Sequence, residues 1–472
     1  MKKFIALLSL SFVAFTLVAC GNNNQSPAAN DDGPVGIERP MPEPVVPTPD
    51  GDIVIRYANW NLGTVEENNI ERRMIEAFME AHPGVVIEID EAVVTGDGHW
   101  NERLAIAAST GNLPDVFMVD DIGVNLNNGW SLDISSIANA DSDFTALPQN
   151  MRDAMSVGGR VYSVPFAQHM FGYFINLDLF DALNLDAPTI GFSVEELEVA
   201  LRSVSDINAP LIGTNHIDYF TTWMPATLNN TFGWLTFDGS SFNIDSPEMH
   251  TAVQRAIEFN NNGFVFDGLE YEVREVFNGG WGGEVFFNGQ MGLLWDATWA
   301  VGNIAAQSEF NWKFIGVPGG RPMVTIDILN IAYTTEHADV AYAFASWMGS
   351  GTDGFTRRME IANEMGTIVN ALPISGNQAL LDNFWSTFQA DGVAEVYANL
   401  DNAIIDRNKV TPGWPVIRWQ TQTGIQIGDN DNATTGDVLW NAVRGNITFT
   451  DHANRVNEVM QEAFENITND IR

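Results

Sequence analysis

Cysteine and basic side chains are both scarce in this chain. Its 472 residues include one cysteine, and 22 lysine and arginine residues stand against 61 aspartate and glutamate residues, which gives a formal net charge of −39. A single cysteine excludes an intrachain disulfide. The acid excess argues against nucleic acid and anionic membrane surfaces as direct partners. Beyond the N-terminal segment no run of about eighteen apolar residues occurs, so the sequence predicts no membrane-spanning helix there.

The usual catalytic motifs are also missing. The sequence contains no Gly-x-Ser-x-Gly elbow, no His-Glu-x-x-His pair, no Gly-x-x-x-x-Gly-Lys phosphate loop and no cysteine nucleophile. The glycine-rich stretch 279–283 lacks the lysine of a phosphate loop and is interpreted as a turn. Asp429 begins a calcium-loop-like stretch, but Thr434 and Trp440 replace the glycine and the glutamate of such a loop. We therefore expect a protein that is not an enzyme and holds no metal ion or cofactor.

The N-terminus has the order of an export signal. Lys2 and Lys3 precede an apolar run over 4–19, which is too short to span a membrane. Leu17-Val18-Ala19-Cys20 is typical of a bacterial lipobox, in which the cysteine is acylated and becomes the mature N-terminus. Residues 1–19 are thus predicted to be a signal peptide and Cys20 a lipid anchor. Residues 20–51 are rich in Asn, Asp, Pro and Gly, which predicts an extended linker.

The remaining chain shows an alternation of strands and helices. Hydrophobic patterning predicts strands over 53–58, 85–89 and 115–119, with helices over 66–81 and 101–109 between them. Further helices are predicted over 194–204, 248–261 and 338–348. This order predicts an α/β protein with a mostly parallel sheet covered by helices. The length suggests two or three domains.

Aromatic side chains stand beside amides and carboxylates in several predicted loops. Sugars have apolar ring faces and a girdle of hydroxyl groups, which aromatic plates and Asp, Asn, Gln or His side chains complement. Ligands of open α/β sheets gather at strand ends, where these loops are predicted to lie. The pattern therefore indicates a carbohydrate site, with aromatic members at Trp60, Tyr219, Trp223, Trp299 and Trp414.

Five segments, taken in order and spacing, carry a family resemblance: 78–85 (FMEAHPGV), 111–116 (GNLPDV), 159–165 (GRVYSVP), 286–295 (FFNGQMGLLW) and 316–319 (GVPG). Over nearly all of residues 52–472 the chain resembles the extracellular sugar-binding proteins of ABC transporters, the class of the maltose-binding protein. The resemblance implies a receptor outside the cell membrane, on the periplasmic side where the host has an outer membrane. It also implies a monomer that delivers its sugar to ABC permease subunits.

The resemblance further implies a two-lobed periplasmic-binding-protein fold, with a mostly parallel sheet flanked by helices in each lobe and a hinge between them. Lobe 1 is expected to comprise 52–165 and 323–348, and lobe 2 to comprise 166–322 and 349–472. The ligand then lies between the lobes, which close around it because it contacts both at once.

Carried over position by position, the resemblance implies that Asp120 and Asp121 accept hydrogen bonds from sugar hydroxyls, that Gln168 or His169 makes a polar contact, and that Tyr219 and Trp299 stack on sugar rings. Val119 stands where an aromatic plate is expected, so maltodextrin specificity does not carry over. Together with the aromatic pattern, the candidate ligand-binding residues are Trp60, Asp120, Asp121, Gln168, His169, Asp218, Tyr219, Trp223, Asp296, Trp299 and Trp414.

Alternatives remain open for the residues and for the function. Asp120 or Asp121 is also explained as a turn cap, Tyr219 and Trp223 as buried residues, and His169 as a core histidine. A cationic solute such as a polyamine would suit the acidic chain, with Asp218 and Asp296 as counter-ions. A secreted glycoside-active enzyme would need two carboxylates roughly 5 to 10 Å apart across a cleft, which sequence neighbours rarely provide.

Overall fold

The computed structural model describes residues 52–217, 219–369 and 371–471. The predicted signal peptide, Cys20, the predicted linker and Asp218 lie outside the described residues.

The strands of the described chain follow the predicted alternation with helices. They are β1 Ile53–Ala58, β2 Val85–Ile89, β3 Val116–Met118, β4 Ser156–Val157, β5 Arg160–Val161, β6 Ser163–Asn176, β7 Ile212–Thr214, β8 Met291–Ala297, β9 Trp312–Gly316, β10 Met323–Ile331, β11 Ile404–Ile405, β12 Gln422–Ile427 and β13 Asn430–Thr434.

The α-helices lie between these strands and after them. They are α1 Ile70–Ala81, α2 Glu91–Thr95, α3 Trp100–Ser109, α4 Ile122–Asn127, α5 Ser135–Ala140, α6 Ser142–Thr145, α7 Gln149–Ala154, α8 Leu177–Ala182, α9 Val194–Val204, α10 Phe220–Leu228, α11 Pro247–Asn261, α12 Tyr271–Arg274, α13 Gly282–Phe287, α14 Val301–Gln307, α15 Ala338–Met348, α16 Thr352–Glu364, α17 Gln378–Thr387, α18 Val393–Tyr397, α19 Trp414–Trp419, α20 Thr435–Val443 and α21 Ala453–Ile471.

Local capping explains where the predicted helices begin. Helix α9 spans the predicted residues, and it begins after Ser193, whose hydroxyl accepts from the Glu196 backbone N–H while the Glu196 carboxylate accepts from the Ser193 N–H. Helix α1 begins four residues later than predicted because the side chain of Asn69 accepts from the Arg72 N–H and sets the first turn.

A nine-stranded sheet organises the described chain. Its order is β2-β1-β3-β10-β6-β8-β7, with β11 beside β10 and β9 beside β6. The pairs β1/β2, β1/β3, β7/β8 and β10/β11 are parallel, whereas β10 and β6 pair antiparallel with each other and with β3, β8 and β9. The sheet is therefore mixed rather than mostly parallel. Antiparallel pairing is concentrated at β6 and β10, which join the β1–β3 end to the β7–β9 end.

Strand β6 connects the two ends of the sheet. It is 14 residues long, and its first part pairs with β10 while its last part pairs with β8 and β9. Successive side chains alternate between sheet faces. Met170 and Phe174 accordingly belong to one hydrophobic cluster, and Phe171, Tyr173 and Ile175 to the other. The first cluster continues from the β1–β3 end into β8 and β9.

Helix α16 packs against α1, at the β1–β3 end of the chain. The Arg358 guanidinium pairs with both carboxylate oxygens of Glu71 and donates to the Met348 carbonyl at 2.7 Å. Arg358 is buried, so this contact fixes one helix on the other. Residues 352–364, which the boundary expected near Gly349 assigns to lobe 2, thus pack on a helix of the expected lobe 1. The lobe boundaries stay predictions.

Within the described residues, every helix is too short or too polar to cross a membrane.

Candidate functional site

A cleft of about 1010 Å³ opens beside the two central strands. Its walls come from the segment after β1, from the first turn of α1, from α3, β6 and β10, from the 3₁₀ turn Thr298–Ala300, from 365–369 and Ala371, and from the loop 406–409. Four of the predicted residues line this cleft: Trp60, Asp120, His169 and Trp299. These positions come from four separate chain segments that the central strands bring together.

Trp299 presents an indole to the cleft in a fixed orientation. It is 40% exposed, and its Nε1 donates to Asp296 Oδ1 at 2.7 Å. The ring lies edge to face with Phe171 at 5.2 Å between centroids, and 5.3 Å from the imidazole of His169. An indole held by a hydrogen bond and two ring contacts is preorganised for stacking.

A second aromatic pair lies at the β1 end of the cleft. The ring of Trp60 lies edge to face with Trp100 at 5.0 Å. Trp100 is buried and its Nε1 donates to the Met118 carbonyl at 2.8 Å, which anchors the pair to β3. Trp100 was missed by sequence reasoning because nothing in its local pattern separates it from a helix core residue.

Both cations that line the cleft are paired with carboxylates that also line it. Lys409 forms an ion pair with Asp327 of β10, and its ammonium lies 5.3 Å from the ring centroid of Trp60. Arg358 pairs with Glu71. Sequence reasoning missed all four residues, although Asp327 stands as a charge within an apolar strand and so offered a local signal.

Two further carboxylates in the cleft are Asp120 and Asp406. Asp120 is exposed and accepts from Asn101 Nδ2 at 3.4 Å. Burial raises the pKa of Asp406, against the lowering effects of the Asn408 N–H and of Lys409. Within the part of the chain that the structure describes, neither residue forms an ion pair, so both keep acceptor capacity.

His169 lies between Trp299 and the Lys409–Asp327 pair. Burial lowers the pKa of His169 to about 4, with Asp327 acting to raise it and Lys409 to lower it further. The imidazole is therefore neutral near pH 7. Its Nδ1 has no hydrogen-bond partner among the described residues. A neutral ring with one unpartnered nitrogen can donate to or accept from a ligand.

Asp121 and Gln168 are turned away from the cleft. Asp121 Oδ1 accepts from the N–H groups of Gly123 at 2.8 Å and Gly413 at 3.2 Å, which caps α4 and ties it to the loop before α19. Burial raises the Asp121 pKa to about 6. Gln168 is fully buried and donates to the Pro373 carbonyl. Asp121 Oδ1 and the Gln168 amide N–H thus serve the backbone, whereas Gln168 Oε1 is buried without a partner among the described residues. Neither residue lines the cleft, and direct ligand contact by either stays a prediction.

Trp223 and Trp414 are fully buried in the second hydrophobic cluster. Trp223 stacks at 6.2 Å on Trp295, and Trp414 packs between Phe237 and Phe242 at 5.6 and 5.2 Å. The expectation that these two tryptophans line the site is therefore corrected. Their indoles contribute apolar packing that excludes both water and ligand.

Tyr219 and Asp296 lie behind the residues that line the cleft. The ring of Tyr219 is half-buried and lies 6.0 Å from Phe171, whose other contacts include Trp299. Asp296 holds the Trp299 indole, and burial raises the Asp296 pKa. Direct ligand contact by these two residues stays a prediction, as does that of Asp218, which is not described.

Histidine and carboxylate side chains are dispersed in the described chain. No group of three or more His, Cys, Asp or Glu residues among them is arranged to hold a metal ion.

Residues 64–350 match the model of a protein family described as bacterial extracellular solute-binding protein. No curated protein matches the sequence significantly.

Solved structures share the fold at low sequence identity. An ABC substrate-binding protein from Listeria monocytogenes, in complex with cycloalternan, has a TM-score of 0.65 at 16% identity over 88% of this chain and 99% of its own. The sugar-binding protein MalE from Xanthomonas citri has a TM-score of 0.63 at 15% identity over 88% and 98%. The cyclic alpha-maltosyl-1,6-maltose binding protein from Arthrobacter globiformis has a TM-score of 0.62 at 17% identity over 88% and 100%. At these identities the likeness shows the α/β periplasmic-binding-protein fold.

Proposed function

The chain belongs to the bacterial extracellular solute-binding protein family, and from this premise we propose that it captures a neutral sugar or oligosaccharide in the cleft for an ABC importer. Members of the family are transport receptors rather than enzymes, so the cleft has a binding role. The sugar preference is supported by the chemistry of the cleft and by the carbohydrates named for several proteins of the same fold.

The observation that carries the proposal is the combination of aromatic plates with internally paired charges. Trp60 and Trp299 line one cleft, and its lysine and arginine are already paired with Asp327 and Glu71. The groups left to a ligand include the indole faces, the neutral imidazole of His169 and the oxygens of Asp120 and Asp406. This set complements apolar ring faces and hydroxyl groups.

A cationic solute is the second candidate, because Asp120 and Asp406 form no ion pair among the described residues and the chain carries a net charge of −39. The Lys409 ammonium near Asp406 weighs against this candidate, since a cation that enters there meets a like charge.

A thermal-shift panel followed by calorimetric titration tests the proposal. Neutral mono- and oligosaccharides, polyamines and short peptides are compared at one concentration. A ligand at 100 times its Kd stabilises a protein by about 2.7 kcal/mol, which a melting curve detects readily. Stabilisation by a sugar but not by spermidine supports the proposal. Stabilisation by spermidine alone, or by none of the sugars, overturns it.

Capture is proposed to involve closure of two lobes about β6 and β10, because these strands join the two ends of the sheet. Closure follows when a ligand contacts both sides of the cleft at once. The receptor is proposed to act as a monomer held outside the cell membrane by a lipid on Cys20, in line with the lipobox that ends at this residue.

A further inference from the structure

A second cavity shares a wall with the cleft. It has a volume of about 320 Å³ and lies between α16 and α17. Thr367, Ile368 and Val369 line this cavity and the cleft alike. We call this second cavity the side groove. The side groove therefore adjoins the cleft along this strip of three residues.

Like the cleft, the side groove combines aromatic rings with polar side chains. Its base includes the half-buried ring of Phe388, which stacks at 5.0 Å and 25° on the buried ring of Phe384. Exposed amide and hydroxyl side chains of Asn363, Asn383 and Thr387 border it. An aromatic base bordered by amides complements a sugar ring and its hydroxyl groups.

The negative charge that borders the side groove is paired with an arginine of the same helix. The one charged residue among those lining it is Glu360, which pairs with Arg357 at 2.9 Å. Neutral donors and acceptors remain for a ligand. This composition disfavours a polyamine and a carboxylated ligand equally, because neither finds an unpaired opposite charge there.

Ile368 connects the side groove to the end of the cleft that carries Trp299. Its side chain is 41% exposed, and its Cδ1 lies 3.7 Å from the position that a β-carbon on Gly302 would occupy. Gly302 is in the first turn of α14, directly after the turn that bears Trp299. Ile368 is thus an exposed apolar side chain between two aromatic surfaces, and a sugar ring can pack against it.

We propose that the ligand is a neutral linear oligosaccharide that stacks on Trp299, passes over Ile368 and places its last units in the side groove. This rests on the proposed function, since the cleft must first hold a sugar. The cleft alone is at the upper end of the volume range of small-molecule pockets, about 300 to 1,000 Å³. The side groove therefore adds affinity only for chains longer than those that fill the cleft.

Calorimetric titration with homologous malto-, cello- and xylo-oligosaccharides of increasing length, together with their parent monosaccharides, tests the proposal. Asn383→Trp places an indole in the side groove from an exposed helix position. Ser386→Trp adds the same indole to an exposed position of α17 that does not line the groove, and is the matched control.

For the wild type and Ser386→Trp we expect affinity to rise with chain length within the series that binds. For Asn383→Trp we expect the longest member to bind about tenfold more weakly, because the indole occupies the space of the side groove, and the shortest to bind unchanged. Affinity that is independent of length, an equal loss at every length, or no loss in Asn383→Trp overturns the proposal while leaving sugar capture intact. Absence of binding by every sugar, monosaccharides included, removes both this proposal and the proposed function.

Discussion

Lys409 and Asp327 form an ion pair inside the cleft, which joins the loop 406–409 to the central strand β10. The backbone carbonyl of Lys409 also accepts from the Ile122 N–H at 3.1 Å, at the start of α4. One residue thus links the loop, the centre of the sheet and the β1–β3 end of the chain. The pair therefore has a structural role beside its effect on the charge of the cleft.

Breaking the Lys409–Asp327 pair should lower the free energy of unfolding. The two side chains are 24% and 15% exposed, so a partner left alone keeps an imperfectly solvated charge. We expect Lys409→Met and Asp327→Asn each to cost about 1 to 3 kcal/mol at pH 7, with the double variant losing less than the sum. Denaturant melts of the four proteins measure the coupling. Strictly additive losses would show that the two side chains do not interact.

Trp299→Ala should weaken ligand binding more than it weakens the fold. The indole is 40% exposed and lies edge to face with Phe171, so its removal takes away the proposed stacking surface for a ligand and little of the hydrophobic core. We expect a loss of roughly 1 to 4 kcal/mol in binding free energy, measured by calorimetry with the sugar found in the panel. Trp440→Ala is the control, because Trp440 is 48% exposed and does not line the cleft. Equal affinities of Trp299→Ala and wild type would place the site elsewhere.

Stability should depend on pH through His169, which faces Asp327, Lys409 and the Trp299 ring. Its pKa is lowered to about 4 in the folded state, against about 6.5 in an unfolded chain. Between about pH 4 and pH 6.5, His169 therefore binds a proton more readily in the unfolded state than in the folded state. The contribution of His169 is fully present above about pH 6.5 and is lost as the pH falls towards 4.

We expect the free energy of unfolding of wild type to fall between pH 7 and pH 4 by about 2 to 3 kcal/mol more than that of His169→Gln. Urea melts at intervals of half a pH unit measure the difference. Parallel pH profiles of the two proteins would contradict a buried, neutral imidazole.

Ionisation of Asp121 should change the free energy of unfolding with pH in the direction opposite to that of His169. Asp121 should not affect ligand affinity. Burial raises its pKa to about 6, so the ionised carboxylate is disfavoured above that pH and the penalty is relieved as the pH falls towards 4. Asp121→Asn keeps the oxygen that caps α4. We expect the variant to be more stable than wild type at pH 7, by about 1 to 3 kcal/mol, and the advantage to vanish near pH 4. A loss of sugar affinity in this variant would restore Asp121 to the ligand-binding residues.

Cys20→Ser should release the receptor from the membrane, because a thioether-linked lipid requires the sulfur atom. Cell fractionation and immunoblotting would find the variant in the medium or the periplasm and the wild type with the membrane. Intact-mass analysis of the native protein provides the second readout. An unmodified Cys20 thiol in the native host would overturn the lipid anchor.

The sequence by itself determined several elements of the fold and four of the residues that line the cleft. Helices α9 and α15 coincide with their predicted bounds because periodicity and capping act within a few residues of the chain. Trp60, Asp120, His169 and Trp299 were predicted and lie in one cleft. Family-like motifs placed these residues near strand ends, where an α/β sheet gathers its ligands.

Only the tertiary structure decided which side chains of the same type are exposed. Trp299 stands in the cleft whereas Trp223 and Trp414 are buried, although all three follow similar local patterns. Likewise, Asp120 is exposed while its neighbour Asp121 caps a helix and contacts Gly413. The pairing of Lys409 with Asp327 joins residues 82 positions apart. Burial and charge pairing depend on contacts between distant segments, whereas helices and strands are specified largely by neighbours in the chain. The sequence therefore reveals helices and strands more readily than it reveals burial and charge pairing.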